Sequence, residues 1–364
     1  MKFKAVFRDD AGFEALWEHF LTENDHASVF YTLHWMDYQR YYSEDRFVAD
    51  LSFTLLGANG EPLAICPLYL EDYDSLLRFS YRGEFLESLR TPLISRGVHR
   101  RYQKKIEREL YRIIDGLAER RRVQKCNFLI DPLCAIYEDE RYNYLTQYGY
   151  LDASIATQII DLKKDEDELW AALRQSYKAL INNADNAFEV VIMDYRNPMF
   201  DNHDNYRVLH HKAAGRVTRP IETFNLQFEM LRNDEAMLVG VKYDNRFVTF
   251  AYFIHSSRTA YYASEADDPD IDIPVTCGPL MQWKAMQYYK ARGFDYMELD
   301  NQQFGPQVFD HPSQKDIAIS FFKRGFGGTT FPLFRGIKYY DKELLGQELR
   351  ENVQELTREV GDDR

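Results

Sequence analysis

The sequence predicts an α/β protein of two domains, each a mixed sheet flanked by helices. Three observations lead there. At 364 residues the chain is about twice the common domain size. Helical spacing of apolar residues alternates along it with runs of β-branched and aromatic residues. A weak internal similarity also relates the halves: a long helix runs into an acid-terminated strand, FLID at 128–131 and MELD at 297–300, offset by 169. A further helix and a glycine–aromatic pair close each copy, Gly149-Tyr150 and Gly325-Phe326, now offset by 176. The seven extra residues fall within NQQFGPQVFDHPSQ, and at the longer offset Lys323 stands opposite Gln147.

The first domain is expected over 1–155. Phe13, Leu16, Trp17 and Phe20 lie at helical spacing, and 33–43 suits a second short helix. DLSFTLL and LAICPLYL flank the turn ANGEP, where Gly60 and Pro62 mark a hairpin. A long helix over 100–121 precedes the strand CNFLID, a helix near 138–147 and a strand near 156–161. The second domain is expected over 156–340. DEDELWAALRQSYKALINNADN reads as one helix whose acids, from Asp165 to Glu168, suit its dipole. The strand FEVVIMDY, helices at 200–214 and 221–232, and a three-strand meander from Glu235 to Glu265 follow. A helix at 276–291, the strand DYMELD, the helix DIAISFFKR and one strand near 329–340 complete it, before a helical tail over 341–364.

With 45% hydrophobic and 15% aromatic residues, the chain has core material far beyond the signature of disorder. Its net charge of −13 argues against a general nucleic-acid coat and against DNA as a partner. Charge is uneven, however: Arg96 to Lys125 holds eleven Lys/Arg against four acids, a stretch able to meet phosphate. Cys66, Cys126, Cys134 and Cys277 form no C-x-x-C pair and read as reduced packing residues. A charged, amphipathic segment follows Met1, and no run approaches 18 uncharged apolar residues. No transmembrane segment and a cytoplasmic location are therefore expected. His203, His210 and His211 lack the accompanying carboxylates of a metal site, so no metal is expected. No G-x-S-x-G or P-loop supports a hydrolase or NTPase.

Three segments, LWAALRQSYKALINNADN, IPVTCGPLMQWKAMQYYKARGFDYMELD and ISFFKRGFGG, resemble in that order the second domain of the FemAB/FemX-like acyltransferases. These are tandem domains of the GNAT acyltransferase fold, and the family includes enzymes that build peptidoglycan cross-bridges from aminoacyl-tRNA. The resemblance covers roughly residues 155–340; the first half matches only in general layout. It implies a tandem GNAT-like architecture and transfer of an acyl or aminoacyl group onto an amine of a cell-envelope precursor. It also assigns Lys323 to stabilising charge on the transferring acyl group and Phe322 to shaping the channel. From spacing alone, Lys323 reads as a solvated lysine suited to a helix C-terminus.

Arg174 and Lys178 stand where the family often has basic residues, and at i, i+4 they would share a helix face able to hold phosphate. Arg219, rather than Arg216, matches the family arginine that contacts a nucleotide-linked substrate; the tyrosine expected one turn later is here Thr223 or Phe224. In a GNAT fold the strand ending with Tyr261, Tyr262 and Glu265 would border the cleft. Alternation turns only one of the two tyrosines toward substrate, and Tyr262 is the candidate. Glu298 and Asp300, two apart at a strand end, share a face and suit orienting or deprotonating an amine.

The pyrophosphate loop of ordinary GNAT enzymes, R/Q-x-x-G-x-G/A, has no match, and RGFGGT follows a helix instead of opening one. That absence tilts the donor away from plain acetyl-CoA without excluding a divergent acyl-CoA site; the donor that the resemblance implies is aminoacyl-tRNA, with acyl-CoA as the alternative, and no cofactor is expected to stay bound. The expected acceptor is a small-molecule or nucleotide-linked amine, and tRNA is a possible partner through the basic stretch. Two other readings remain open: an acyl-CoA-dependent N-acyltransferase acting on an amino sugar of a surface polysaccharide, and a non-catalytic GNAT-like module binding a nucleotide-linked precursor.

Overall fold

The computed structural model describes residues 2–81, 88–138, 142–256 and 258–362. In chain order, β1 (Lys4–Phe7) leads to α1 (Phe13–Glu23), which turns Phe13, Trp17 and Phe20 inward, and α2 (Leu33–Tyr42). The Thr32 hydroxyl caps α2 by accepting from Trp35 N at 3.2 Å. β2 (Phe47–Asp50), β3 (Phe53–Leu56), β4 (Pro62–Cys66) and β5 (Tyr69–Tyr73) form the expected hairpin, divided into two stories. At the division Leu51 N donates to Leu68 O (2.8 Å) and Leu68 N to Ser52 Oγ (3.0 Å), beside Pro67, which has no N–H to give. The pair thereby passes from one sheet to another.

β6 (Leu76–Phe79), β7 (Leu89–Arg90) and β8 (Leu93–Ile94) precede α3 (Arg100–Arg121), which buries Ile106, Leu110, Ile114 and Leu117. β9 (Lys125–Leu129) is followed two residues on by Asp131, whose Oδ1 accepts from Leu133 N and Cys134 N and so starts α4 (Pro132–Glu138) close behind the strand. The helix expected at 138–147 is replaced by α4 and a 3-10 turn over Tyr144–Tyr148, closed by Gly149 at φ 81. β10 (Leu151–Asp152) and β11 (Ile155–Asp161) follow.

The single helix expected over 165–186 is two: α5 (Glu166–Ala172), opened by an Asp165/Glu168 capping box, and α6 (Gln175–Ala187). Leu173 and Arg174 between them are extended because Arg174 N is drawn to Gly325 O at 2.8 Å. β12 (Glu189–Met193), α7 (Phe200–Ala214), α8 (Ile221–Arg232) and the meander β13 (Ala236–Tyr243), β14 (Arg246–His255), β15 (Thr259–Asp267) come next. Then come α9 (Gly278–Ala291), β16 (Tyr296–Gln302) and α10 (Gln314–Arg324). The one strand expected near 329–340 is divided at Phe334 into β17 (Thr329–Leu333) and β18 (Arg335–Tyr339), before α11 (Lys342–Asp362).

The chain forms two compact units. One comprises 1–156, 303–315 and 332–364; the other comprises 157–302 and 316–331. The first holds a four-stranded sheet, β1-β3-β4-β8, and a larger one in the order β10-β18-β9-β6-β5-β2, with β7 also on β9. Residues 332–340, expected in the second domain, instead place β18 between β10 and β9, with Ile337 opposite Asn127. Lys338 anchors it through Asp115 at 2.7 Å. The second unit is built on the sheet β12-β13-β14-β15-β16-β11-β17. Met237, Val239, Ala251 and Phe253 face Leu280, Met286 and Tyr289 of α9 and Ile181 of α6. On the other face Phe250 and Tyr252 meet Tyr206 of α7, itself against Phe224 of α8. Among the described residues no helix is long and apolar enough to cross a membrane.

Candidate functional site

β15 and β16 are parallel, and their ladder runs only from Thr259↔Tyr296 to Tyr261↔Glu298. Beyond it, the C-terminal ends of both strands continue, to Asp267 and Gln302. The end of a parallel pair is where an α/β sheet opens a crevice for ligand. β15 also carries an irregularity there: Phe253 pairs with Tyr262 but Tyr252 with Ser264, so Ala263 is an extra residue. The bulge changes which side chains share a face. Ala251 and Phe253 point the same way, and their partners are Glu265 and Tyr262. Tyr262 and Glu265, three apart and opposed by simple alternation, therefore meet: the phenol donates to Glu265 Oε2 at 2.8 Å.

Desolvation, with Asp267 nearby, pushes the Glu265 carboxyl up to about 7, although the Tyr262 hydrogen bond works the other way. Burial holds the Tyr262 phenol well above its ordinary range, and Glu265, Asp267 and Asp300 add to this. Burial likewise raises Cys277 to about 12, so it is a thiol and not a thiolate. Gly278, the first residue of α9, faces this pair. A Cβ there would stand 3.2 Å from Glu265 Oε1 and 3.3 Å from Phe322 Cζ, so the bare glycine lets the carboxylate and the ring converge at the helix N-terminus. Phe322 packs with Tyr177 and Phe326, at centroid distances of 5.7 and 5.1 Å.

Lys323, in the last turn of α10, is not solvated. It is 6% exposed, and its ammonium donates to Asp300 Oδ2 at 2.9 Å. Asp300 sits at φ 66, a left-handed conformation that turns its half-exposed carboxylate toward the lysine. Beside it, Thr157 of β11 donates its hydroxyl to Glu298 Oε1 at 2.6 Å and lies 3.0 Å from Asp300 O. Glu298 is thereby buried and engaged, while Asp300 reaches Lys323.

Lys323, Phe322, Asp300, Tyr262 and Glu298 thus belong to one neighbourhood. The three cations do not join it as a phosphate grip. Arg174 is the residue before α6 and not part of it, so the shared helix face with Lys178 does not form. Its guanidinium donates to Phe321 O at 2.8 Å and stacks on the Phe321 ring at 3.8 Å, satisfying the carbonyl end of α10. Lys178 Nζ donates to Ala171 O at 3.0 Å and closes α5 in the same way. Arg219 is buried in the aromatic layer on the other face of the sheet, over Phe224 at 4.2 Å and donating to Gln227 Oε1 at 2.9 Å. Its neighbour His203 is buried among Tyr206, Phe228 and Tyr252, and desolvation lowers its imidazole to about 3, hence neutral.

Glu265 is the functional candidate to which spacing assigned no role. Its alignment with Tyr262 depends on the bulge, and the sequence carries no period that reveals one. The glycines of RGFGG act as packing devices. A Cβ on Gly325 would meet the Tyr177 ring at 2.3 Å, and one on Gly328, at φ 79, would meet Ile159 O at 2.3 Å.

No described protein family and no curated protein matches the sequence. Solved structures do match the fold. The crystal structure of FemX aligns with a TM-score of 0.63 at 12% identity, over 95% of this chain and 99% of that one. The structure of L-PGS from Bacillus licheniformis aligns at 0.58 and 11%, over 92% and 95%. The C-terminal domain of a putative lysylphosphatidylglycerol synthetase from Agrobacterium fabrum aligns at 0.55 and 9%, over 92% and 93%. The fold is that of the tandem GNAT-type, FemX-like proteins, and the resemblance carried by the three segments holds at that level.

Proposed function

We propose that the chain is an N-acyltransferase that moves an acyl or aminoacyl group onto an amine of a cell-envelope precursor, with its chemistry in the second unit. The observation that carries this is that the neighbourhood at the open end of β15 and β16 holds both a carboxyl raised toward neutral pH, Glu265 beside Tyr262, and a buried ammonium, Lys323 on Asp300. The amine nitrogen attacks the carbonyl carbon of an ester or thioester, and the C–N bond forms as the carbonyl oxygen becomes an oxyanion. Glu265 takes the proton from the amine, a task suited to a base whose pKa lies near the working pH. Lys323 faces the developing oxyanion, where a preorganised charge in a dry site stabilises most. Collapse breaks the carbonyl carbon's bond to the donor's oxygen or sulfur, which leaves with the proton that Glu265 took up, and Phe322 walls the site against water. Asp300 fixes the ammonium.

The donor placed first is aminoacyl-tRNA, on the sequence resemblance of the three segments, with acyl-CoA as the alternative. The test is transfer from each donor to amine-bearing nucleotide-linked and lipid acceptors, followed by mass spectrometry. Lys323→Met is expected to lower the transfer rate by about 10²–10³-fold, as loss of an oxyanion donor does. Full activity in that variant removes Lys323 from the chemistry. Acceptor binding without transfer from any donor leaves the binding-module reading.

A further inference from the structure

In the second unit α9 turns one side toward α5 and α6 and the other toward the sheet. Trp283 and Gln287 meet Trp170 and Glu166 of α5, and Lys284 meets Asp185 of α6. The sheet-facing row holds Gly278, Gln282 and Tyr289, spaced by whole helical turns. Both ends of that row land on the same pair of residues. Gly278 faces Glu265, and Tyr289 packs on Phe253, whose ring lies 5.6 Å from that of Tyr262.

Gln282 is the polar member of an apolar helix face. Around it Leu280, Met281, Ala285, Met286 and Tyr289 are all core residues. It is 1% exposed, and among the described residues neither its amide oxygen nor its amide nitrogen has a hydrogen-bond partner. A buried amide left unpaired is costly, and a methionine of nearly the same shape would carry no such cost. Departures from local consistency of this kind collect at functional sites. A long side chain on a helix leans back over the turn N-terminal to its own Cα, so Gln282 lies over Gly278. There the missing Cβ leaves room, and Glu265 Oε1 comes within 3.2 Å of where it would stand. The Tyr262 phenol occupies the other carboxyl oxygen, and Oε1 itself makes no hydrogen bond among the described residues. An unpartnered amide and an unpartnered carboxyl oxygen thus approach one glycine.

We infer that Gln282 is a positioning residue for Glu265, its side-chain amide closing on Oε1 across Gly278 as the carboxyl ionises, so that the N–H donates to the carboxylate. An amide suits this place because it carries both donor and acceptor and can follow the carboxyl through either state. Other groups act there too: Tyr262 and Asp267 from β15, Cys277 just ahead of α9, and Asp300, paired with Lys323 of α10, through Tyr262. The inference rests on the acyl-transfer reading for the role of Glu265 as base; the hydrogen bond itself does not.

NMR of the full chain, labelled in the Glu carboxyl and the Gln side-chain amide, follows both groups between about pH 5 and pH 9. The Gln282 amide signal is expected to move with the Glu265 carboxyl, through one apparent pKa. In Gln282→Met the carboxylate loses its donor, so its ionisation constant falls by about three- to tenfold. The rising limb of kcat/KM then moves to higher pH by the same factor. A side chain that only packs leaves both where they were. Should the methionine variant fail to fold, the titration of the parent protein decides. The inference is overturned if the Gln282 signal stays flat while Glu265 titrates, or if Gln282→Met leaves the Glu265 titration in place. Matched titration and a weakened acid in a protein that transfers from no donor uphold the hydrogen bond and sink the acyl-transfer reading instead.

Discussion

At the residue scale, Glu265 is the group whose ionisation the structure changes most usefully. Its folded value of about 7 stands above the ordinary 4.5, so the folded state holds a proton that the unfolded chain has released. The stability this confers is present in full below pH 4.5 and is lost as pH rises toward 7. Glu265→Gln should therefore be more stable than the parent at pH 8 by about 1–3 kcal/mol, with the gap closing at pH 4, in denaturant titrations at the two pH values. Activity has the opposite slope: kcat/KM rises through an apparent pKa near 7 as the carboxylate forms, and Glu265→Gln loses that limb. Lys323 differs in that its charge is matched. Asp300→Ala leaves a 6%-exposed ammonium without its carboxylate and should cost about 1–3 kcal/mol by chemical denaturation, with transfer reduced in parallel.

At the element scale, α10 is held by what approaches its end. Arg174 covers the Phe321 carbonyl, Tyr177 donates to Phe322 O at 3.0 Å, and Gly325 admits the Tyr177 ring. Because Lys323 and Phe322 lie in that last turn, its packing sets their position. Gly325→Ala forces a methyl against the ring and should destabilise by about 1–3 kcal/mol. Gly328→Ala meets a backbone carbonyl at positive φ, has no flexible neighbour to yield, and should cost more in the same urea titration. Arg174→Ala should lower kcat with little change in KM, as expected of a residue that positions Lys323 and never touches substrate.

At the scale of the whole molecule, the last strand of the chain completes the sheet of the first unit. β18 lies between β10 and β9, so its loss uncovers the ladder edges of two strands. A chain ending at Phe334 should lose the cooperative unfolding transition of the first unit, and 1–156 alone should show none, by hydrogen exchange followed with mass spectrometry. Retained protection of β9 in either fragment refutes this.

What the sequence by itself determined is whatever is local or periodic. Helical spacing located α1, α3 and α9, alternation and turn residues located the β13–β15 meander, and three segments carried the resemblance that the fold confirms. Only tertiary structure decided the rest. The break at Arg174 answers a carbonyl 151 positions away, at Gly325, and helical pattern alone reads through it. The division of 329–340 depends on which sheet accepts β18, a non-local pairing that leaves no period in the chain. Among the site residues, Lys323 was legible by resemblance, yet its burial and its pairing with Asp300 come from the turn of β16 at φ 66. Glu265 took its place through a single bulged residue, because inserting one residue in a strand of period two exchanges its faces.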